Sequence, residues 1–178
     1  MDLTRYEWAA KILEVSPDDR ILEIGCGRGQ AARLVAEKLS TGKITAIDRS
    51  KTMASAAANS NQTFIESGRC EVINIDLAGA ELAESAFDKI FVFNINAFWM
   101  DPADELGIIR RLLVDNGRFY LFHQPPPGAD AKEYAVEFEK NIAKYGFNVE
   151  KILYEKFESA DAVCVISKPL AKPAVTRQ

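Results

Sequence analysis

One stretch constrains this chain more than any other: Arg20-Ile-Leu-Glu-Ile-Gly-Cys-Gly-Arg-Gly29. An apolar run ends in glycines set at every second position, and helical patterning resumes at Gln30. A strand that empties into glycines and then a helix lets a ligand approach the backbone where Cβ atoms would obstruct it. The helix N-terminus and the loop amides favour a negatively charged ligand group. The spacing then separates two kinds of loop. A dinucleotide fingerprint is G-x-G-x-x-G, its third Gly permitting close helix–strand packing. Counted from Gly25, that third position falls on Gln30, and the glycines are Gly25, Gly27 and Gly29 instead. An acid, Glu23, precedes them by two positions.

Around this loop the pattern alternates. Thr4 with Glu7 resembles a capping box, and Trp8, Ile12 and Leu13 recur at helical spacing before Ser16-Pro17-Asp18-Asp19 breaks the helix. Arg20 to Ile24 predicts a strand, Gln30 to Leu39 a helix ended by Thr41-Gly42, and Lys43 to Ile47 a second strand. Ser50 caps a helix from Lys51 that runs, with a break, to Ser67, where Gly68 stops it. Glu71 to Ile75 predicts a third strand and Ala80 to Glu84 a short helix. Phe87 to Phe93 is the most apolar strand, as suits a central one covered on both faces. Asp101-Pro102 opens a helix that turns Leu106, Ile109, Leu112 and Leu113 inward, and Asn116-Gly117 leads into a strand from Arg118 to Phe122. Pro125-Pro126-Pro127-Gly128 is a loop. Asp130 heads a helix to Tyr145, stopped by Gly146, and residues 147–157 and 162–166 supply two last strands.

Strands alternating with helices imply a parallel sheet covered on both faces. Two strands with a short connection at the end imply an antiparallel hairpin on that sheet. The expectation is one α/β domain over residues 1–167, opened by a short helix, with a flexible tail over 168–178.

At 178 residues, 48% hydrophobic and 27% charged, the chain can bury a substantial core without metal or disulfide staples. A net charge of -4 argues against a broad nucleic-acid-binding face, which relies on clustered Lys and Arg. The cysteines, Cys26, Cys70 and Cys164, are odd in number and form no CxxC pair, which points to a reducing compartment and a cytoplasmic protein. The only histidine is His123, so no metal ligand set is expected. No apolar segment approaches the roughly 20 residues of a membrane span, and no signal peptide is visible.

With Glu23 before Gly25, Gly27 and Gly29, the loop resembles the first motif of the class I, Rossmann-like, S-adenosylmethionine-dependent methyltransferases, written E/D-x-G-x-G-x-G. The resemblance covers roughly Arg20 to Ile166, because the order of strands and helices matches too, and it implies a seven-stranded sheet with its last strand antiparallel. It implies S-adenosylmethionine as cofactor, lying against Gly25, Cys26, Gly27 and Gly29. Asp48, ending the second strand, would hold the ribose hydroxyls; a carboxylate suits a vicinal diol because it accepts two hydrogen bonds. Arg49 or Met53 would lie against the adenine. Asp76 would accept from the adenine amino group and the Leu77 amide would donate to the ring. Backbone carbonyls at Asn94 would face the methionine ammonium, and Glu23 would organise the loop. The resemblance names the cofactor and no subfamily.

Ligands of such sheets bind beyond the carboxyl ends of the strands, so the acceptor should meet Asn94-Ile-Asn96-Ala-Phe-Trp-Met100 and His123-Gln124. His123 is the best candidate general base, against the plainer role of filling a strand end. Asn96 and Trp99 are candidate acceptor contacts, and Tyr6 could close over the site from the N-terminal helix. The stretch Asn94-Ile-Asn96-Ala departs from the Asp/Asn-Pro-Pro-aromatic pattern of enzymes that methylate exocyclic amines of nucleobases or glutamine side chains. The leading expectation is methyl transfer to a small molecule, by the chain alone, as a homodimer or with a partner protein. Two alternatives stay open: a non-catalytic S-adenosylmethionine-binding subunit, and a partner-dependent methyltransferase of a macromolecule. An NAD-linked oxidoreductase is disfavoured by Gln30 and by the absence of a Tyr-x-x-x-Lys pair.

Overall fold

A computed structural model describes residues 4–170. The chain runs α1 (Thr4–Ile12), β1 (Arg20–Ile24), α2 (Gln30–Ala36), β2 (Lys43–Asp48), α3 (Lys51–Ser60), α4 (Gln62–Glu66) and β3 (Cys70–Asn74). It continues with β4 (Phe87–Phe93), α5 (Ala103–Leu112), β5 (Leu113–His123), α6 (Ala131–Lys144), β6 (Phe147–Glu155) and β7 (Ala162–Pro169). The seven strands form one sheet in the order β3-β2-β1-β4-β5-β7-β6. All neighbours are parallel except that β7 is antiparallel to both β5 and β6. This is the Rossmann-like architecture with an antiparallel final strand that the sequence predicts.

Alternation along the strands divides the core in two. Ile21, Phe91, Phe93, Tyr120, Phe122 and Cys164 point to the face covered by α1 and α2. Leu22, Ile90, Val92, Phe119, Leu121 and Val165 point to the face covered by α5 and α6. Near-continuous apolar strands such as Phe87–Phe93 are what a sheet buried on both faces needs. The order reverses at β1, which pairs with β2 on one side and β4 on the other, and that switch point opens a crevice beyond the strand ends.

Three stretches differ from the sequence expectation. The helix expected at Ala80–Glu84 is absent; a 3-10 turn at Leu77–Gly79 precedes that stretch, opened by the Asp76 carboxylate accepting from the Ala78 N–H at 3.0 Å. Beyond it, the Ser85 and Ala86 N–H groups donate to the Arg111 and Leu112 carbonyls, so that end of the segment bonds to α5 rather than to itself. β5 starts at Leu113 instead of Arg118, because Leu113 pairs with Phe87 before a register shift that places Lys89 opposite Arg118. Asn116-Gly117 therefore belongs to an irregular strand and not to a turn outside it. Finally, β7 continues through Lys168 and Pro169, past the point where the sequence starts the tail. Residues 171–178, the rest of that tail, lie outside the described residues.

Candidate active site

A cavity of about 450 Å³ opens at the switch point, between the carboxyl ends of β1, β2, β3 and β4 and the first turns of α5. Of the residues singled out by sequence, it brings together Gly25, Asp48, Arg49, Asp76, Leu77, Asn94 and Asn96. Its lining carries four carboxylates, Asp48, Asp76, Asp104 and Glu105, against one guanidinium, Arg49. Such a lining repels a diphosphate and favours a ligand bearing positive charge.

The loop after β1 is wound by its glycines, which adopt φ of 73° at Gly25, 55° at Gly27 and 76° at Gly29. A Cβ on Gly25 would stand 2.3 Å from Ile95 Cδ1, where the chain after β4 crosses the loop. A Cβ on Gly29 would stand 2.5 Å from Asn61 Nδ2 and 2.9 Å from Ala57 Cβ, so this glycine lets α3 approach α2. The loop amides are turned toward β2. The Gly25 and Cys26 N–H groups donate to the Ile47 carbonyl at 2.8 and 3.0 Å, and the Gly27 N–H donates to Asp48 Oδ2 at 2.8 Å. These amides are thus spent within the fold, and the sequence expectation that the loop favours an anion is not met at these positions. Asp48 Oδ1 accepts from the Ser50 N–H at 2.8 Å. Each oxygen of Asp48 keeps a lone pair for a further donor, and the carboxylate is fixed at the cavity wall.

Glu23 lies beneath the loop, 3% exposed. Strand alternation turns it to the α2 face, where the Ala32 N–H in the first turn of α2 donates to its carboxyl. That bond satisfies one of the donors a helix start leaves open. Burial, reinforced by the neighbouring Asp48 charge, pushes its pKa up to about 8. The same burial holds the Cys26, Cys70 and Cys164 thiols above their ordinary range, so they act as small apolar side chains.

Asn94 follows the last residue of β4 at φ 54°, a left-handed conformation uncommon outside glycine. Its Oδ1 accepts from the Gln124 N–H at 2.8 Å, which ties the ends of β4 and β5 together. Other predicted residues fall outside the cavity lining, among them Glu23, Cys26, Gly27 and Gly29 of the loop. Met53 sits half-buried in the first turn of α3. Tyr6 packs on Phe93 with ring centroids 5.3 Å apart. Trp99, 41% exposed, lies 4.2 Å from the Tyr134 ring. His123 stacks on Tyr134 at 4.5 Å and meets Phe138 edge-on. Burial lowers the His123 pKa to about 4, and its Nε2 is buried without a partner. An imidazole held in this way is neutral near pH 7 and a weak proton acceptor.

A family model described as "Methyltransferase domain" matches residues 21–117, more than half of the chain, from β1 into β5. The chain belongs to that family. It is an S-adenosylmethionine-dependent methyltransferase. A Bacillus subtilis (strain 168) protein carrying the methyltransferase name YrhH is 29% identical over 122 residues, which cover 68% of this chain and 67% of the relative. A SAM-dependent methyltransferase from Aquifex aeolicus has the same fold at a TM-score of 0.76 and 16% identity, over 93% of this chain and 89% of that one. Geranyl diphosphate C-methyltransferase from Streptomyces coelicolor A3(2) aligns at a TM-score of 0.74 and 12% identity, over 94% of this chain and 76% of that one.

Sequence reasoning missed the α5 side of the methyltransferase cavity. Asp104, Glu105 and Ile108 line it, yet acids in a first helical turn read as ordinary complements to the helix dipole. Ile95 and Phe98 were within the stretch expected to meet the acceptor, but only the fold sets Ile95 across Gly25.

Proposed function

We propose that this methyltransferase acts on a small-molecule acceptor bound beside Asn94 and Asn96. The observation that carries this is the extent of the cavity, which runs without interruption from Asp48 and Asp76 past Asn94 to Asn96, Ala97 and Phe98. The first part suits a nucleoside with positive charge. The second lies between the end of β4 and the first turns of α5. A structural neighbour that methylates geranyl diphosphate, itself a small molecule, supports the same reading.

In this account the chain's residues hold, orient and exclude. Asp48, with one lone pair per oxygen committed to Gly27 and Ser50, accepts from the two ribose hydroxyls. Asp76 and the Leu77 amide recognise the adenine edge, while Arg49 or Met53 covers its face. The carbonyl of Asn94, turned by its left-handed backbone, faces the methionine ammonium. Gly25 lines the site, and Cys26, Gly27 and Gly29 continue the loop that carries it, kept in shape by Glu23 below. S-adenosylmethionine, when bound, supplies an electrophilic methyl group on a sulfonium. What remains for the protein is proximity and alignment of the acceptor atom, which can account for many kcal/mol of a displacement barrier. Asn96 positions that acceptor. His123, neutral and set against Tyr134 and Phe138, shapes the end of β5 rather than accepting a proton.

Methyl-labelled S-adenosylmethionine, incubated with the protein and a cell extract, tests the reading. Label is expected in the low-mass filtrate. Label confined to proteins or nucleic acids would overturn it, and no transfer to any fraction with cofactor binding intact would mark a binding subunit instead.

A further inference from the structure

A polar side chain stands in the middle of an apolar helix face. Tyr134, Phe138, Asn141 and Tyr145 recur at helical spacing along α6 and its end, so they share one side of it. Asn141 is 6% exposed. A buried amide is costly unless its donors are met, and here they are met outside the helix. Asn141 Nδ2 donates to the Phe98 carbonyl at 3.4 Å and to the Met100 carbonyl at 3.2 Å. Those carbonyls belong to the 3-10 turn Asn96–Trp99 and the residue after it, between β4 and α5. A helical turn leaves its last carbonyls without partners of its own, and Asn141 supplies one for two of them.

The same side of α6 holds the segment at further points. The Trp99 ring lies 4.2 Å from Tyr134 and meets Phe138 edge-on at 5.9 Å. The Tyr145 hydroxyl donates to the Asp101 carboxylate, and Lys144 Nζ stands 3.6 Å from it. The Phe98 ring, 1% exposed, packs on Phe119 at 5.4 Å.

This segment is cavity wall. Asn96, Ala97 and Phe98 line the cavity before the bonded stretch, and Asp104 and Glu105 line it after. No α6 residue is part of that lining. Asn141 therefore reaches the site through the backbone it holds and not through a ligand it touches. A shift of about 1 Å in a positioning group can cost about a hundredfold in rate.

We propose that Asn141 is a positioning residue for methyl transfer, fixing the Asn96–Trp99 turn against α6 so that Asn96 presents the acceptor in line. The inference rests on the proposed role of Asn96.

The test compares wild type with Asn141→Leu, which keeps the side-chain size without donors, and Asn141→Ala, which suits a helix. Ile142→Val, at a neighbouring α6 position that is 1% exposed, is the packing control. Initial rates from methyl-labelled S-adenosylmethionine are measured over a dilution series of cell extract, well below the unfolding temperature, with calorimetry of S-adenosylhomocysteine alongside. Both Asn141 variants should lower the maximal rate about tenfold or more. Half-saturating extract and S-adenosylhomocysteine affinity should stay within about twofold of wild type, and that affinity also reports an intact fold. Ile142→Val should keep the wild-type rate. Trp99 gives a second readout, because Trp8→Phe leaves it the only tryptophan. Acrylamide should quench it about twofold more strongly with Asn141→Leu added. Unchanged maximal rates, a loss matched by Ile142→Val, or unchanged quenching would overturn the inference. So would rate and S-adenosylhomocysteine affinity falling together, which marks a general structural role. The fraction that takes the label reports on the proposed function separately. Label in macromolecules overturns the small-molecule reading, while the ratio of variant to wild-type rates still reads Asn141. A wild type that transfers no label overturns both.

Discussion

Glu23 shows how a single residue ties the loop's shape to solution behaviour. Its carboxyl is buried under the glycines with one oxygen lacking a partner, and its pKa rises from 4.5 to about 8. Below pH 4.5 the group is protonated in folded and unfolded chains alike and contributes no pH dependence. Between pH 4.5 and about 8 only the unfolded chain ionises, so the folded state holds the extra proton and stability falls as pH rises. Above that window both states are ionised and the slope vanishes. Glu23→Gln removes the group, so its denaturation midpoint should exceed that of wild type at pH 8 by more than at pH 5. Equal differences at the two pH values would show that Glu23 does not titrate as its burial requires. The identity of Glu23 as an acid two positions before Gly25 is plain in the sequence. Its burial is not, since it follows from α2 folding back over β1.

At the scale of elements, the glycine loop joins β1 to α2 and also sets how α3 packs. Asn61 ends α3, its Nδ2 donating to the Gly29 and Ala57 carbonyls at 3.1 and 2.9 Å. Gly29→Ala therefore meets both a left-handed backbone and the Asn61 and Ala57 side chains. Gly27→Ala meets the backbone penalty alone, because nothing stands within 4 Å of its added Cβ. Strain of about 1–2 kcal/mol is expected at Gly27, and about 1–3 kcal/mol more at Gly29 from overpacking. Equal losses in urea titrations of the two variants would refute the packing role of Gly29. The break between α3 and α4 was legible in the patterning, and Ser50 caps α3 as the sequence predicts. The missing helix at Ala80–Glu84 was not legible, because its backbone partners come from the far end of α5. Nor was the early start of β5, where Leu113 fits a helical stripe and an apolar strand equally well. Sheet pairing decided between them.

For the whole molecule, sheet order and charge act together. Placing β1 between β2 and β4 opens the crevice, and two strand ends and one helix bring Asp48, Asp76, Asp104 and Glu105 to its wall. The fold class and half of this wall were legible, because strand-end acids follow apolar runs at recognisable spacing. The other half was not, because α5 reaches the cavity only through the topology. Among the described residues no helix is long and apolar enough to cross a membrane. The account stands on recognition of S-adenosylmethionine through Asp48, and calorimetric titration of that ligand into wild type and Asp48→Ala measures this directly. Wild type should bind it, and the variant should bind more weakly by about 1–3 kcal/mol through lost charge-assisted hydrogen bonds. Equal affinity of the two proteins, or binding of NAD with no binding of S-adenosylmethionine, would contradict the account.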